Sequence, residues 1–184
     1  MEPNMFCYQC QETAKGTGCI LKGVCGKESH TAQAMDLLLF VVRGVSVVAD
    51  VLRKADCPVS EEVNIFVTDA LFCTITNANF DDESILKRVD KGITMRNGLI
   101  QEAKHNKVLL PKVDELTWQG TRDDYAGKAK TVGVLREQNE DLRSLKELLV
   151  YGLKGMAAYL EHAMRLGFND DTVHVFMQRA LATI

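Results

Sequence analysis

The sequence has 184 residues, enough for one domain with a packed core, and its 46% hydrophobic and 26% charged residues are ordinary for a globular protein. A formal net charge of −3 disfavours nucleic acid as the main partner, because phosphate binding requires a basic surface. The start resembles no secretion signal, and the most apolar run, residues 37–42, is too short to span a bilayer. We therefore expect a cytoplasmic protein, where structural disulfides are rare and metal–thiolate sites are common.

The first feature in chain order is a cluster of four cysteines with the spacing C-x2-C-x8-C-x5-C, namely Cys7, Cys10, Cys19 and Cys25. Four thiolates from one glycine-containing loop can surround a metal centre, and cluster iron prefers thiolate ligands. The residues by themselves suit a [4Fe–4S] or a [2Fe–2S] centre. Phe6 and Tyr8 bracket Cys7 and are expected to exclude water, and the positive charge nearby suits an anionic cluster; it comes from Lys15, Lys22 and Lys27.

Two other uses of these cysteines stay open at this point. A zinc site with four cysteines usually presents two C-x2-C pairs, whereas the second pair here is spaced by five residues. Redox disulfide chemistry suits the Cys7–Cys10 spacing, but that motif belongs in a β–α–β pattern, which this sequence lacks. Cys57 and Cys73 lie outside the loop, and both are predicted to act as packing residues.

The rest of the sequence has the apolar periodicity of α-helices. A first helix is predicted from Thr31 as N-cap, apolar on nearly every side and therefore deep in a core. Cys57-Pro58 ends that region, and a second helix begins at Ser60 and stops near Asn77-Ala78-Asn79. A third begins at Asp81-Asp82, where Gly92 and Gly98 weaken the pattern.

Residues 107–131 are predicted to form a connection with one short helix. A further long helix runs from Asn139 to Gly167, and its internal glycines, Gly152 and Gly155, indicate close approach of a neighbouring helix. A last helix begins near Asp170 and ends on an apolar face at Ile184, which suggests a fragment of a longer protein. The predicted fold class is all-α, with a cysteine-rich metal loop at 1–30 and a bundle of five to six helices at 31–184.

The histidines and acidic residues form no second candidate site in the sequence. The four histidines, His30, His105, His162 and His174, are scattered, and we expect His162 and His174 on helix surfaces or boundaries. Glu140, Asp141 and Glu147 are candidate acids, but Glu140 and Asp141 also suit the first turn of a helix. No nucleophile triad, phosphate loop or dinucleotide motif is present.

The cysteine loop and several later segments closely resemble the hybrid cluster protein family, also called prismane protein or hydroxylamine reductase. The resemblance covers essentially the whole chain and is carried by MFCYQCQETAK at 5–15, CGK at 25–27, RG at 43–44, TITNANFDD at 74–82, NEDLRSLKELL at 139–149, GLKGMAAY at 152–159 and EHA at 161–163. The cysteine spacing resembles the form of the family that carries a [4Fe–4S] cluster, so the resemblance implies that Cys7, Cys10, Cys19 and Cys25 are its ligands.

The resemblance also implies what lies beyond this chain. Family members are about three times longer, with a helical first domain and two α/β domains that provide the ligands of a hybrid iron–sulfur–oxygen cluster. We therefore expect the N-terminal electron-transfer domain of a hydroxylamine reductase, inactive alone, whose partners are the remaining α/β domains and a redox donor protein. Reduction of nitric oxide or protein S-nitrosylation in the parent protein is a further expectation. We also expect that loss of the partner domains exposes apolar helix faces, such as that of the last helix, and that the fragment self-associates through them. The alternative is a non-enzymatic zinc-binding helical interaction module.

Overall fold

The computed structural model describes residues 5–10, 12–75 and 79–184. Within these ranges the backbone forms α-helices, two single-turn 3-10 helices (Ala14–Gly16 and Val134–Arg136) and one isolated β-bridge, so the predicted all-α fold class is confirmed. The α-helices are α1 (Ser29–Lys54), α2 (Glu61–Cys73), α3 (Asp82–His105), α4 (Asp114–Thr117), α5 (Arg122–Val132), α6 (Glu140–Arg165) and α7 (Asp171–Ala182). Because α4 is a single turn of 4 residues, six longer helices carry the bundle.

Helix α1 lies at the centre and packs against α2, α3, α4, α5 and α7. Three consecutive side chains, Phe40, Val41 and Val42, are completely buried, which is possible only where neighbours cover every side of the helix. Each such side chain stabilises the fold by about 1.5–3 kcal/mol relative to exposure. The prediction of a helix deep in the core is confirmed. No helix in the described ranges is both long enough and apolar enough to span a bilayer.

The predicted starts of three helices are confirmed by their capping bonds. Asn139 accepts a hydrogen bond from the backbone N–H of Leu142 (3.0 Å), and Asp170 accepts one from Thr172 (2.8 Å). Asp81 caps α3 in the same manner. Each cap satisfies a backbone donor that has no partner inside the helix and is worth about 1 kcal/mol.

The ends of the first two helices differ from the prediction. Helix α1 begins at Ser29, so Thr31 is a buried residue of its first turn rather than the N-cap, which is Glu28. Helix α2 ends at Cys73, before the predicted stop at 77–79. Of that predicted stop, residues 77 and 78 lie outside the described residues.

Residues 107–131 contain more helix than the sequence pattern indicated, because both α4 and the 11-residue α5 fall in or across this region. Thr121 and Asp124 form a capping box at the start of α5, and the backbone N–H of Thr121 donates to Asp124 Oδ2 at 2.8 Å. Arg96 of α3 is fully buried and donates to the carbonyl oxygens of Glu115 (2.9 Å) and Trp118 (2.8 Å). This connection is therefore held by a buried guanidinium, a long-range contact that periodicity does not encode.

The close helix contact predicted at Gly152 and Gly155 occurs instead at Gly92, where the sequence pattern indicated only a weakened helix. A Cβ atom at Gly152 or Gly155 would meet no heavy atom within 4 Å, so the predicted close approach at these positions is wrong. A Cβ at Gly92 would lie 2.6 Å from Val41 Cγ1 and 2.8 Å from Phe66 Cζ. Close packing of α3 against α1 and α2 therefore requires glycine at position 92.

The last two helices differ in how much apolar surface they leave open. The apolar face of α7 packs against α1, with Met177 and Leu181 buried, so the prediction that this face is exposed is wrong except at Phe176. Helix α6 packs mainly against α2 and leaves a row of apolar side chains exposed, namely Leu142, Leu145, Leu148, Tyr151 and Tyr159.

Candidate metal centre

The cysteine loop is organised by an antiparallel β-bridge between Cys7 and Cys19. The N–H of Cys7 donates to the carbonyl oxygen of Cys19 at 3.0 Å, and the N–H of Cys19 donates back to Cys7 at 2.9 Å. Residues that exchange both hydrogen bonds have Cα atoms about 5.5 Å apart. The structure therefore brings two of the four predicted ligands side by side although eleven residues separate them in the sequence.

The chain reverses between these two cysteines through the 3-10 turn Ala14–Gly16. Gly18 has φ +119° and faces the ring of Phe6, where a Cβ would approach Cε2 to 2.8 Å. Glycine is required here both for its backbone conformation and for the space that the ring fills. The turn also directs the backbone N–H of Ala14 at the sulfur of Cys19, at a distance of 3.5 Å. Such N–H groups stabilise the negative charge of a metal-bound thiolate.

The four cysteines differ in exposure. Cys19 is buried, Cys7 and Cys10 are partly buried, and Cys25 is exposed; all are free thiols. Four free thiols on one loop are the donor set that cluster iron or zinc takes, so the residues present suit a thiolate-bound metal. Among the described residues, no three side chains of the types His, Cys, Asp and Glu are placed to hold a metal ion. The structure thus pairs Cys7 with Cys19 through the backbone and does not gather all four thiols at one point.

Burial dominates the electrostatics of Cys7 and raises the pKa of its thiol. The backbone N–H of Gln9 and the positive charges of Lys27 and Lys154 act in the opposite direction, whereas Asp36 adds to the rise. A free thiol at this position is therefore kept protonated, and a metal that binds it must displace the proton.

The predicted neighbours of the cysteines divide into buried and exposed groups. Lys15 and Lys22 are exposed, and Lys22 pairs with Glu28, whereas Lys27 is only 2% exposed. Phe6 covers the turn, but Tyr8 is 56% exposed and its hydroxyl donates to the carbonyl of Gly16 at 3.0 Å. The prediction that Tyr8 excludes water is therefore wrong, because its ring faces solvent and it ties the turn through a hydrogen bond instead.

Next to the loop lies a group of charged side chains, some buried and some partly buried, that the sequence pattern did not predict. Asp36 of α1 has its pKa raised to about 7 by burial, an effect that the charge of Lys154 partly offsets. Lys154 of α6 is 4% exposed, and burial lowers its pKa to about 8, partly offset by Asp36. The available signal was the occurrence of a charge within an apolar stripe, since Lys154 lies between Leu153 and Ala157 on the buried face of α6.

A small polar cavity of about 150 Å³ lies between α1, α6 and the loop. Its lining includes Gln9 from the cysteine loop, Asp36 and Arg43 from α1, and Glu147 from α6. Burial lowers the pKa of Arg43 and raises that of Glu147, and each partly offsets the shift of the other through its opposite charge. Glu147 is thus a charge partner of Arg43 within this polar region.

The remaining predicted residues occupy structural positions. Glu140 and Asp141 form the first turn of α6, as expected. Cys57 packs against the core, and Cys73 is buried and accepts a hydrogen bond from Asn79 (3.1 Å), so both packing predictions are confirmed.

His174 is 1% exposed and lies between α2 and α7, whereas His162 is on a helix surface as predicted. The ring of His174 contacts Thr68 Oγ1 at 3.3 Å and Asn169 Oδ1 at 2.7 Å. A histidine on a helix can be buried when the facing helix provides a polar partner. Here the partner, Thr68, lies 106 positions away in the sequence, so the local pattern did not reveal the burial. Of the other two histidines, His30 is exposed and pairs with Asp82, and His105 is the last residue of α3.

Comparison with known proteins places this arrangement in a family. The model described as Prismane/CO dehydrogenase family matches residues 5–184. The hydroxylamine reductase of Bacteroides thetaiotaomicron is 54% identical over 182 residues, which cover 98% of this chain and 32% of that protein. The hydroxylamine reductases of Porphyromonas gingivalis and Desulfitobacterium hafniense are 49% and 46% identical over 182 residues, covering 98% and 97% of this chain and 33% of each relative.

The chain thus spans about a third of the length of the curated relatives that it matches. Both the family match and the identities extend over nearly all of its residues, from the cysteine loop through α7. We conclude that the chain belongs to the Prismane/CO dehydrogenase family, as its resemblance to hybrid cluster proteins predicted.

Proposed function

We propose that this chain is the iron–sulfur electron-transfer domain of a hydroxylamine reductase, with Cys7, Cys10, Cys19 and Cys25 as ligands of a [4Fe–4S] cluster. The observation that carries the proposal is the Cys7–Cys19 bridge, which aligns two thiols of a loop that holds four free ones. The backbone N–H of Ala14 directed at the Cys19 sulfur suits a thiolate that carries negative charge. The names of the relatives support the parent activity.

The two sides of the loop would give such a cluster different environments, one buried and one exposed. Cys19 is buried with Met5 and Ala32 in a small apolar group that would limit access of water to one side. Cys25 is exposed, and so are Leu21 and Val24 beside it, so the other side would face solvent, where a redox donor protein can approach. When bound, the cluster supplies one-electron transfer.

In the parent protein, we infer that electrons pass onward to the hybrid cluster, where hydroxylamine is reduced to ammonia in a cytoplasm low in oxygen. Nitric oxide reduction and protein S-nitrosylation are further candidate activities of that parent. The ligands of the hybrid cluster are expected in the remaining α/β domains, which would be the main partners of this domain. The 184-residue chain by itself is therefore expected to reduce no hydroxylamine, and measurable turnover by it would contradict this assignment.

The test is anaerobic purification followed by analysis of iron, acid-labile sulfide and zinc. We expect a brown protein with broad visible absorbance and equal amounts of iron and sulfide, because zinc absorbs no visible light. The variant Cys19→Ser should lose most of its iron, since a buried thiolate ligand is removed. Cys57→Ser is the matched control and should keep its iron, because Cys57 lies outside the loop and donates only to the carbonyl oxygen of Ala55.

The alternative function, a zinc-binding helical interaction module, predicts a different result. The protein would then be colourless and hold zinc without sulfide, and Cys19→Ser would lose zinc. If Cys19→Ser retained as much bound metal as Cys57→Ser, whether iron or zinc, the assignment of Cys19 as a ligand would be contradicted.

A further inference from the structure

Two lysines are buried, Lys27 at the end of the cysteine loop and Lys154 on α6, and each has few partners among the described residues. Lys154 is 4% exposed and donates to the carbonyl oxygen of Thr74 at 3.2 Å. Lys27 is 2% exposed and donates to the sulfur of Met35 at 3.2 Å, a weak acceptor. A lysine ammonium carries three N–H donors. The contacts within the described residues therefore satisfy these two cations only in part.

Burying an ammonium group is unfavourable unless an anion compensates for the lost hydration. The nearby carboxylates do so incompletely. Asp36 and Glu147 are the two carboxylates that act on Lys154. Arg43 lines the same cavity as these two acids, so three cations (Lys27, Arg43 and Lys154) stand against two carboxylates. The described side chains thus leave an excess of positive charge behind the loop.

The position of this charge points to the cysteines. The loop packs on the first turn of α1 through Ala32, and Met35, which receives the hydrogen bond from Lys27, lies one turn further along the same helix. Gln9, which lies between Cys7 and Cys10, lines one cavity with Asp36 of α1 and Glu147 of α6, and Lys154 lies about two turns beyond Glu147 on α6. A cluster bound by four thiolates carries net negative charge, and the charge around it sets its reduction potential.

We propose that Lys154, assisted by Lys27, is the buried counter-charge of the cysteine-ligated cluster and raises its reduction potential. This inference rests on the proposed function, because it assigns a role to residues around the proposed cluster. Lys154 donates no ligand atom; it acts on the centre through its charge, from a helix that lies more than a hundred residues beyond the loop in the sequence. This role accounts for the presence of a lysine on the buried apolar face of α6.

The experiment is a redox titration of the anaerobically prepared 184-residue chain, followed by visible absorbance or electron paramagnetic resonance. Lys154→Met removes the charge and keeps an unbranched apolar side chain. At a fixed solution potential, we expect the ratio of reduced to oxidised cluster to fall about tenfold, which corresponds to about 59 mV for a one-electron couple. The control is Lys146→Met on the same helix, whose ammonium pairs with Glu137 at 2.8 Å; its potential should match the wild type.

Iron and sulfide content separates this inference from the proposed function. A wild-type protein without iron and sulfide would overturn both. A Lys154→Met variant with wild-type iron and sulfide and an unchanged potential would overturn the role of Lys154 and leave the proposed function intact. If Lys154→Met fails to fold by circular dichroism, the pair Lys154→Arg and Lys154→Gln decides instead. The arginine variant should then keep a higher potential than the glutamine variant, and equal potentials would overturn the proposal.

Discussion

The cysteine loop at 5–28 and the helical part at 29–184 are stabilised in different ways. Helix α1 is surrounded by other helices and contains completely buried side chains over most of its length. The described residues of the loop form one β-bridge, one 3-10 turn and a small apolar group, and Ile20, Leu21 and Val24 are exposed. The helical part therefore needs no ligand for its core, whereas the loop lacks enough buried apolar surface to be stable by itself.

The magnitudes support this division. A buried leucine or phenylalanine stabilises by about 1.5–3 kcal/mol, and α1 contains many of them. A backbone hydrogen bond in a loop contributes only about 1 kcal/mol net. Metal binding by thiolates can supply about 10 kcal/mol or more of folding free energy, as in small zinc domains. The proposed metal centre would therefore be the largest stabilising contribution to the loop.

Removing the proposed metal should have the largest effect on stability, and this effect should be confined to the loop. After chelation of the proposed cluster, hydrogen exchange at the amides of Cys7 and Cys19 should accelerate strongly, because the bridge loses the ligand that holds it. The amides in the middle of α1 should keep their protection, since their stability comes from apolar burial. Native-state hydrogen exchange with mass spectrometry measures both. Equal acceleration in α1 and in the loop would show that they unfold as one unit.

Within the helical part, two glycine substitutions should have opposite effects. Gly92→Ala should lower the free energy of unfolding by about 1–3 kcal/mol, because its Cβ would overlap Val41 and Phe66. Gly155→Ala should raise it by about 0.5–1 kcal/mol, since this site is exposed and open and alanine favours the helix.

Urea unfolding followed by circular dichroism measures both differences. Neither substitution lies in the loop, so the amounts of iron and sulfide should match the wild type. Stabilisation by Gly92→Ala would contradict the close packing of α3 against α1 and α2.

The smallest expected effect is a pH dependence in the contact between α2 and α7. Burial lowers the pKa of His174 below its ordinary value of 6.5, so the unfolded chain binds its proton more readily than the folded one. Its contribution to stability is present above pH 6.5 and is lost as the pH falls through and below that value. His174→Gln should therefore weaken the loss of stability between about pH 7 and pH 5.

His162→Gln is the matched control, because His162 is exposed on α6. Its variant should keep the wild-type pH dependence of urea unfolding. A His174→Gln variant with that same dependence would contradict the assignment of the buried ring as a pH-sensitive contact.

Much of the fold and the proposed ligand set could be predicted from local sequence signals. The apolar periodicity and the caps at Asn139 and Asp170 act over a few residues, so their helices were placed correctly. The capping box at Thr121 is equally local, and the start of α5 was readable from it, although the sequence pattern predicted only one short helix in residues 107–131. The cysteine spacing and the resemblance to a family identified the ligand candidates and the family.

The sequence by itself determined which segments are helical, which helix is buried and which cysteines are clustered, because these properties depend on neighbouring residues and their spacing. Only the tertiary structure decided that Gly92 marks a close contact, that His174 is buried and that Lys154 lies behind a loop at the other end of the chain. Those outcomes depend on which helix faces meet in space. The partners are separated by tens of residues or more, and no local pattern records their charge, volume or distance.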